Sequence, residues 1–241
     1  MSSTPLHRPI PRRESPERVA VIIPARDEAS VIARTVEALR HQARVVVVDN
    51  GSTDDTARRA REAGAEVVHE PSPGYGRAIQ AGLAHLTDAP DTVVVIFDAD
   101  LADDPRLLME VVRPITQDEA DLVLSARTTF AEPGALTTTQ YYGNWLALTL
   151  IYWSTGQRFQ DLGPMRAMRW RTWMQLGLRD PTWGWNVEIQ MKAVHQGLRI
   201  LEVPLPYRRR HSGQSKISGT LIGSVRAGYR IVTTILRHHG A

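Results

Sequence analysis

The sequence of 241 residues contains no cysteine. Disulfides, thiol nucleophiles and cysteine-ligated metals are therefore excluded, and the composition fits a reducing compartment such as the cytoplasm. Lysine is scarce as well: Lys192 and Lys216 are the only two, although lysine and arginine together number 29. The net charge is only +3, so no strong overall field attracts nucleic acid, and we expect no nucleic-acid partner.

Long hydrophobic runs are also missing. A helix that spans a bilayer needs about 20 consecutive apolar residues, and the nearest approach, WLALTLIYW at 145–153, is too short. Residues 1–17 are polar and proline-rich without an apolar core, so they do not resemble a signal peptide and are predicted to form a disordered arm. We expect a domain over 18–217 and an amphipathic C-terminal helix within 218–241.

Apolar runs alternate with amphipathic segments through the first half of the chain. The runs predict strands at 18–24, 44–49, 66–69, 92–98 and 121–127. Helices are predicted at 27–41, 52–64, 76–86 and from about Pro105 onward. This alternation is typical of an α/β fold with a mostly parallel sheet flanked by helices on both faces. Beyond residue 130 we expect an aromatic segment at 141–155, a helix at 185–196, a strand at 199–207 and a helix at 218–237, which form a helical acceptor-side region.

The unusual residues follow the ends of the predicted strands, as PARDE, DNGSTDDT, PSPGYGR, DADLADD and SAR. Ligands of open parallel sheets bind at those carboxyl ends. Asp98 and Asp100 are two residues apart, so both carboxylates can point the same way and suit Mg²⁺ or Mn²⁺. The alternative is an acidic turn that caps the helix near Pro105, but Asp103 and Asp104 can supply that cap.

The other polar strand ends are more ambiguous. Asp49 can accept hydrogen bonds from a base or a ribose, whereas Ser52 and Thr53 are interpreted as a turn and helix cap. Glu28 lies in the first turn of a predicted helix, where acids are stabilised in any case. The sequence GYGR lacks the third glycine of a dinucleotide-binding fingerprint and is weak evidence for such a cofactor.

A basic segment, YRRRHSGQSK, occupies residues 207–216. Arginine suits bidentate phosphate contacts, and lysine supplies a compact charge. The alternative is a solvated basic loop, which fits Arg208 and Arg209 in particular.

Seven motifs occur in order between residues 19 and 220: VIIPARDEA, VVVVDNGSTDDT, GYGRAI, FDADL, DLGPMRA, WNVEIQMKA and YRRRHSGQSKISGT. This succession resembles the family-two glycosyltransferases of the GT-A fold, specifically the dolichyl- or polyprenyl-phosphate hexose synthase branch. The resemblance implies transfer of a hexose, with inversion, from UDP- or GDP-hexose to a polyprenyl phosphate at the cytoplasmic membrane face, with Mg²⁺ or Mn²⁺ as cofactor.

The resemblance also implies roles at matching positions. The residues implied to line the nucleoside pocket and flank the base are Pro24, Arg26, Glu28, Val47 and Asp49. Those implied to hold the metal and the donor diphosphate are Asp98, Ala99 and Asp100. Those implied to contact phosphates are Arg127, Arg210 and Lys216. Two positions depart from the branch, because Arg26 stands where an aromatic residue is frequent and Ala102 where a polar residue is frequent.

Two further carboxylates are candidates for catalysis. Asp161 is the candidate general base, with a structural pair to Arg166 as the alternative. Glu188 is a candidate for positioning the sugar, with a helical i, i+4 pair to Lys192 as the alternative.

The apolar stripe at Leu221, Val225, Tyr229, Val232 and Leu236, together with the aromatic segment 141–155, fits a membrane surface. It fits a core or the interface of a homo-oligomer equally well. Other enzyme classes fit less well, since a sugar nucleotidyltransferase needs a glycine-rich loop after its first strand. A soluble hydroxyl acceptor and a non-catalytic nucleotide-sugar binding protein remain open alternatives.

Overall fold

The computed structural model describes residues 18–87 and 90–209. The strands are β1 (Val19–Ala25), β2 (Arg44–Asp49), β3 (Glu66–His69), β4 (Val93–Ile96), β5 (Leu122–Ala126), β6 (Arg166–Arg169) and β7 (Ile200–Pro204). The helices are α1 (Ile32–Leu39), α2 (Thr56–Glu62), α3 (Tyr75–His85), α4 (Leu108–Thr116), α5 (Thr138–Thr155), α6 (Trp170–Gln175) and α7 (Trp185–His195). A 3₁₀ turn, Pro105–Leu107, precedes α4.

The predictions for the arm 1–17, the helix 218–237, Arg210 and Lys216 concern residues outside the described ranges.

The strands form one seven-stranded sheet in the order β3-β2-β1-β4-β6-β5-β7. All pairings are parallel except those of β6, which runs antiparallel to both β4 and β5. The predicted mostly parallel sheet is therefore confirmed. Sequence patterns missed β6, because its four residues, RAMR, begin and end with arginine instead of forming an apolar run.

Alternate residues of the strands pack into two separate hydrophobic cores, one on each face of the sheet. Val21 and Ile23 of β1 face the layer that contains α1 and α4. Ala20 and Ile22 face the layer that contains α3, α6 and α7. Because successive strand side chains point to opposite faces, an uninterrupted apolar strand requires a helix layer on each side. The structure has both layers, as predicted.

Two helices begin later than their sequence patterns predicted. Helix α1 begins at Ile32 instead of residue 27, and α2 begins at Thr56 instead of residue 52. In both cases the preceding residues form turns, and their polar groups bond to one another across the two loops. These turns border the cavity described below.

Helix α5 has a largely exposed, uncharged surface. Its N-terminus is closed by a capping box of Thr137 and Gln140, and it ends at Gly156, which has a φ of 73°. Only Ala147 and Ile151 are fully buried, whereas six large apolar side chains are exposed: Tyr141, Tyr142, Trp145, Leu146, Tyr152 and Trp153. Among the described residues, no helix has the length and apolarity needed to cross a membrane.

Gly82 of α3 allows this helix to lie close to the sheet. A Cβ at this position would come within 2.7 Å of Ile22 Cγ2 on β1. We expect Gly82→Ala to lower the free energy of unfolding by about 1–3 kcal/mol, since overpacking outweighs the gain in helix propensity. Gly143→Ala in α5 is the matched control, because no atom of the described residues, apart from the adjoining backbone of α5 and the two chain neighbours, lies within 4 Å of its Cβ position. The control should raise stability by up to about 1 kcal/mol. Urea denaturation measures both, and equal changes would contradict this account of the packing.

Candidate active site

A cavity of about 590 Å³ opens at the carboxyl ends of β1, β2 and β4. One wall is the segment 24–28, which comprises the last two residues of β1 and the three that follow, together with Asn50. The other wall is formed by residues 73–75 with Thr182 and Trp183. The acidic segment 98–100 also lines it. Six of the sequence-predicted site residues therefore meet in one cavity: Pro24, Arg26, Glu28, Asp98, Ala99 and Asp100.

The acidic segment is held in place by its backbone. Thr35 of α1 donates its hydroxyl hydrogen to the carbonyl of Ala99 at 2.7 Å. The N–H of Ala102 donates to Asp100 Oδ1 at 3.0 Å. Between them, Leu101 has a φ of 59°, which is uncommon for a residue other than glycine. This strained turn places the Asp98 and Asp100 carboxylates at the cavity.

Val47 and Asp49 do not line this cavity. Val47 is fully buried in the core beneath the sheet, so the structure does not bring its side chain to a ligand. Asp49 lies 3.1 Å from His69 Nδ1 and accepts a hydrogen bond from the N–H of Ser52. Asn50 occupies the cavity wall instead, and its side chain anchors the opposite loop through the carbonyls of Glu70 and Ser72.

The second wall depends on two glycines at the start of α3. A Cβ on Gly74 would lie 2.2 Å from the carbonyl oxygen of Pro181, and one on Gly76 would lie 2.0 Å from that of Asp180. Only glycine permits so close an approach of the two backbones. Between these glycines, Tyr75 stacks on Trp183 with ring centroids 4.6 Å apart. The motif GYGR, which in the sequence is only weak evidence for a dinucleotide cofactor, thus allows the loop 180–183 to approach α3.

Glu188 anchors the start of the loop 180–183 by hydrogen bonds to its backbone. Its buried carboxylate accepts hydrogen bonds from the N–H groups of Arg179 and Asp180 at 2.7–3.0 Å. The pair with Lys192 is also present, at 2.8 Å. Glu188 does not line the cavity. The geometry supports an indirect role, in which Glu188 positions the wall that carries Thr182 and Trp183.

Asp161 is fully buried and is paired with Arg127, not with Arg166. Arg127 reaches both carboxylate oxygens, at 2.7 and 2.9 Å, and its backbone N–H donates as well. A general base needs a lone pair directed at the substrate, so this arrangement favours a structural carboxylate. Arg127 also stacks over the Tyr207 ring at 5.0 Å, and its side chain is only 14% exposed, which leaves little of it for a phosphate.

The predicted partner, Arg166, serves a different purpose. Its guanidinium donates to the carbonyls of Leu162, Gly163 and Asn186. Complete burial lowers its pKa to about 10, so it remains a cation at neutral pH. The alternative that paired Asp161 with Arg166 is thus wrong, because Arg166 bonds to backbone carbonyls while Arg127 is directed at the carboxylate.

Asp103 and Asp104 behave differently although they are adjacent. Asp104 caps the 3₁₀ turn by accepting from the N–H of Arg106 at 3.0 Å, as expected for one of this pair. Asp103 is buried, and neither of its carboxylate oxygens has a hydrogen-bond partner among the residues the structure describes. Burial, followed by the charge of Asp98, raises the pKa of Asp103 well above its usual range.

The first residues of the basic segment, 207–209, lie beside the acidic turn at 98–102. The N–H of Arg208 donates to the carbonyl of Ala102 at 2.8 Å, and its guanidinium pairs with Asp104 at 2.8 Å. Arg209 is tied to Glu132 and to the carbonyl of Pro133. These two arginines are therefore anchored to the protein and are not simply solvated. Arg210 and Lys216 lie outside the described residues, so their predicted phosphate contacts remain predictions.

A family model for glycosyl transferase family 2 matches residues 20–172. The chain belongs to glycosyl transferase family 2. It is therefore a glycosyltransferase. An uncharacterised glycosyltransferase of Mycobacterium tuberculosis (strain ATCC 25618 / H37Rv) is 34% identical over 216 residues, which cover 87% of this chain and 94% of the relative. A dolichyl-phosphate hexose transferase of Haloferax volcanii is 31% identical over 211 residues, which cover 86% of this chain and 87% of the relative.

A solved structure shares the fold of this glycosyltransferase. It is glucosyl-3-phosphoglycerate synthase from Mycobacterium tuberculosis in complex with Mn²⁺, uridine-diphosphate-glucose and phosphoglyceric acid. The TM-score is 0.72 at 24% identity, and the match covers 92% of this chain and 79% of that chain. The likeness confirms the predicted GT-A fold.

Because the Asp161–Arg127 pair of this glycosyltransferase is buried, we expect its removal to affect stability more than activity. Asp161→Asn leaves a nearly buried guanidinium without its counter-charge, which should lower the free energy of unfolding by about 3–5 kcal/mol. Below the melting transition, the variant should keep substantial activity, because the carboxylate does not face the cavity.

The matched control is Asp121→Asn, which breaks a half-exposed pair with Arg199 and should change stability by less than about 1 kcal/mol. Thermal denaturation and initial rates measure the two effects. A folded Asp161→Asn enzyme without turnover would restore the general-base hypothesis.

Proposed function

We propose that this glycosyltransferase moves a hexose from UDP- or GDP-hexose to a polyprenyl phosphate at the cytoplasmic face of the membrane, with Mg²⁺ or Mn²⁺ as cofactor. The observation that carries the proposal is the meeting of Asp98 and Asp100 with the segment 24–28 in one cavity. In an open parallel sheet this edge is where nucleotide ligands bind.

The donor fits this cavity in two parts. The nucleoside lies against the wall of Pro24, Arg26, Glu28 and Asn50, and the diphosphate lies over Asp98 and Asp100. Arg26 stands where an aromatic residue is frequent in the branch. Its planar guanidinium can stack on a base in place of an aromatic ring.

The residues present fit a divalent cation. Among residues 18–87 and 90–209, no three acidic or histidine side chains converge to form a full metal site. Mg²⁺ and similar ions, however, bind through one or two carboxylates and complete their coordination with water and substrate phosphates. Asp98 and Asp100 supply that set, and a bound ion would neutralise the charge that develops on the leaving diphosphate.

The acceptor follows from the protonation requirement. A hydroxyl acceptor needs a general base, whereas a phosphate is already an anion and needs none. Asp161 is enclosed by Arg127 and is poorly placed to act as a base. A phosphate acceptor agrees with this geometry. The basic segment supports the same choice, since the N–H of Arg208 donates to the carbonyl of Ala102, two residues beyond Asp100. Arg210 and Lys216 follow in the sequence and are the residues proposed to contact phosphates.

The exposed face of α5 supports a lipid-linked acceptor. Helix α5, Thr138–Thr155, contains no charged residue, and Trp145 and Trp153 are 60% and 75% exposed. Aromatic side chains on an uncharged helix surface suit the membrane interface. The relative named dolichyl-phosphate hexose transferase is consistent with this choice. A phosphorylated small acceptor, as in the glucosyl-3-phosphoglycerate synthase structure, is the second candidate.

The role of the acidic pair is tested by substitution. Asp98→Asn and Asp100→Asn should each reduce turnover of nucleotide sugar by at least about 100-fold, because the positioned charge that stabilises the leaving diphosphate is lost. The melting temperature should change little. Asp91→Asn is the matched control, since that carboxylate is 73% exposed and lies before the start of β4, whereas the cavity opens at the carboxyl end of this strand. Metal-dependent activity near the unaltered level in either variant would refute the assignment of that residue.

A panel of UDP- and GDP-hexoses with Mg²⁺ or Mn²⁺, scored by thermal shift and by nucleotide release, identifies the donor.

The acceptor is tested with lipid vesicles. Undecaprenyl phosphate in vesicles should accept the hexose, and undecaprenol and phosphoglyceric acid should not. Trp145→Ser and Trp153→Ser should each weaken vesicle binding, measured by co-sedimentation, by about tenfold or more, since burial of one large apolar side chain contributes about 1.5–3 kcal/mol. Met174→Ser, at an exposed position on α6, is the control. Transfer to phosphoglyceric acid without vesicle binding would instead establish the second candidate.

A further inference from the structure

Three consecutive backbone amides on the nucleoside wall are all bonded to side chains of a second loop. The N–H of Asp27 donates to Ser52 Oγ at 3.0 Å. The N–H of Glu28 donates to Thr56 Oγ1 at 2.7 Å, and that of Ala29 donates to Asp54 Oδ2 at 3.1 Å. We call the segments 26–29 and 52–56, joined in this way, the loop clamp.

The loop clamp is reciprocal at Asp27. Asp27 Oδ1 accepts hydrogen bonds from the N–H of Thr53 at 2.7 Å and from its hydroxyl at 3.1 Å. The same residue has a φ of 49°, in the left-handed region that L-residues other than glycine rarely adopt. A single side chain therefore bonds the second loop while its own backbone holds a strained turn.

The strained turn lies between two cavity residues. Arg26 precedes Asp27 and Glu28 follows it, and all three line the cavity. Strained backbone conformations persist where the surroundings over-determine them, and they concentrate at ligand sites. A relaxed φ at Asp27 would change the direction of the chain between Arg26 and Glu28.

The loop clamp also decides which groups can meet the donor. The N–H groups of residues 27–29 bond to side chains, so they are not available to bind a phosphate in the manner of a helix N-terminus. Residues 27–29 can therefore contact a nucleoside only through their side chains and carbonyl oxygens.

We propose that Asp27 is a positioning residue for the donor, which holds Arg26 and Glu28 in the geometry that binds the nucleoside of the nucleotide sugar. This inference rests on the proposed function, and it assigns Ser52, Thr53, Asp54 and Thr56 to the support of that wall. From the sequence alone, Ser52 and Thr53 are interpreted as a turn and helix cap. The observed α2 cap residue is Asp55, whose side chain makes no capping hydrogen bond.

The competing explanation is that the loop clamp only stabilises the junction of two loops. The variant Asp27→Gly distinguishes the positioning role from this explanation. Glycine adopts a positive φ without strain, so the variant keeps the turn but removes the carboxylate. Asp27→Asn keeps an acceptor oxygen for Thr53 and tolerates the same φ. Asp55→Asn is the matched control, since Asp55 lies on the same loop but pairs with Arg58 at the surface.

The experiment measures the dissociation constants of UDP and GDP by calorimetry with Mn²⁺, together with donor KM, kcat and melting temperature. We expect Asp27→Gly to raise the nucleotide dissociation constant and the donor KM about tenfold, the scale of one lost charge-assisted hydrogen bond. Its kcat should stay within about twofold, because the acidic segment is untouched. Asp27→Asn should recover most of the affinity, and Asp55→Asn should match the unaltered protein.

The other side of the loop clamp provides a second variant. Thr53→Val removes the hydroxyl that bonds Asp27. Its effect on nucleotide affinity should not add to that of Asp27→Gly, since the bond it removes is one of the two that Asp27→Gly already breaks. Unchanged nucleotide affinity and KM in folded Asp27→Gly, or a loss confined to kcat, would overturn the inference. If the unaltered protein bound no nucleotide or nucleotide sugar at all, the proposed function itself would fail, and the inference with it.

Discussion

The parallel pairing of β1 with β2 and β4 is the constraint on which the whole site depends. Ala25 at the end of β1 is in register with Asp49 at the end of β2, and Ile22 pairs with Ile96 near the end of β4. These three strands are buried on both faces, so their polar residues lie at or beyond their ends. Parallel direction then brings the segment 24–28, Asn50 and the acidic segment 98–100 to one edge of the sheet, where the cavity opens.

Much of this arrangement is readable from the sequence because it follows from local patterns. Apolar runs predicted the first five strands, a strand was also expected at the position of β7, and the acidic pair could be placed at a strand end. The misses arise where long-range contacts decide the structure. Strand β6 is bounded by Arg166 and Arg169, so it has no strand signature of its own and forms because β4 and β5 both pair with it. The closeness of α3 to the loop 180–183 depends on residues about a hundred positions apart.

The partners of polar side chains were the least predictable feature. Arg127 and Asp161 are 34 positions apart, and no spacing rule links them. Ser52 and Thr53 resemble a helix cap in sequence, yet their side chains support the turn at Asp27, because the loops after β1 and β2 lie side by side. Asp49 and Val47 show the converse. Their positions on β2 matched the family pattern, but the structure places one beside His69 and the other in the core.

The central claim is that the carboxylates of Asp98 and Asp100 hold a divalent cation against the diphosphate of a nucleotide sugar. The most direct measurement is the anomalous scattering of Mn²⁺ in crystals grown with Mn²⁺ and the nucleotide diphosphate. The account predicts one strong peak at about 2.1–2.3 Å from an oxygen of Asp98 or Asp100, with the diphosphate on its far side and the nucleoside against the segment 24–28. A nucleotide bound elsewhere, or a metal peak away from both carboxylates, would contradict it.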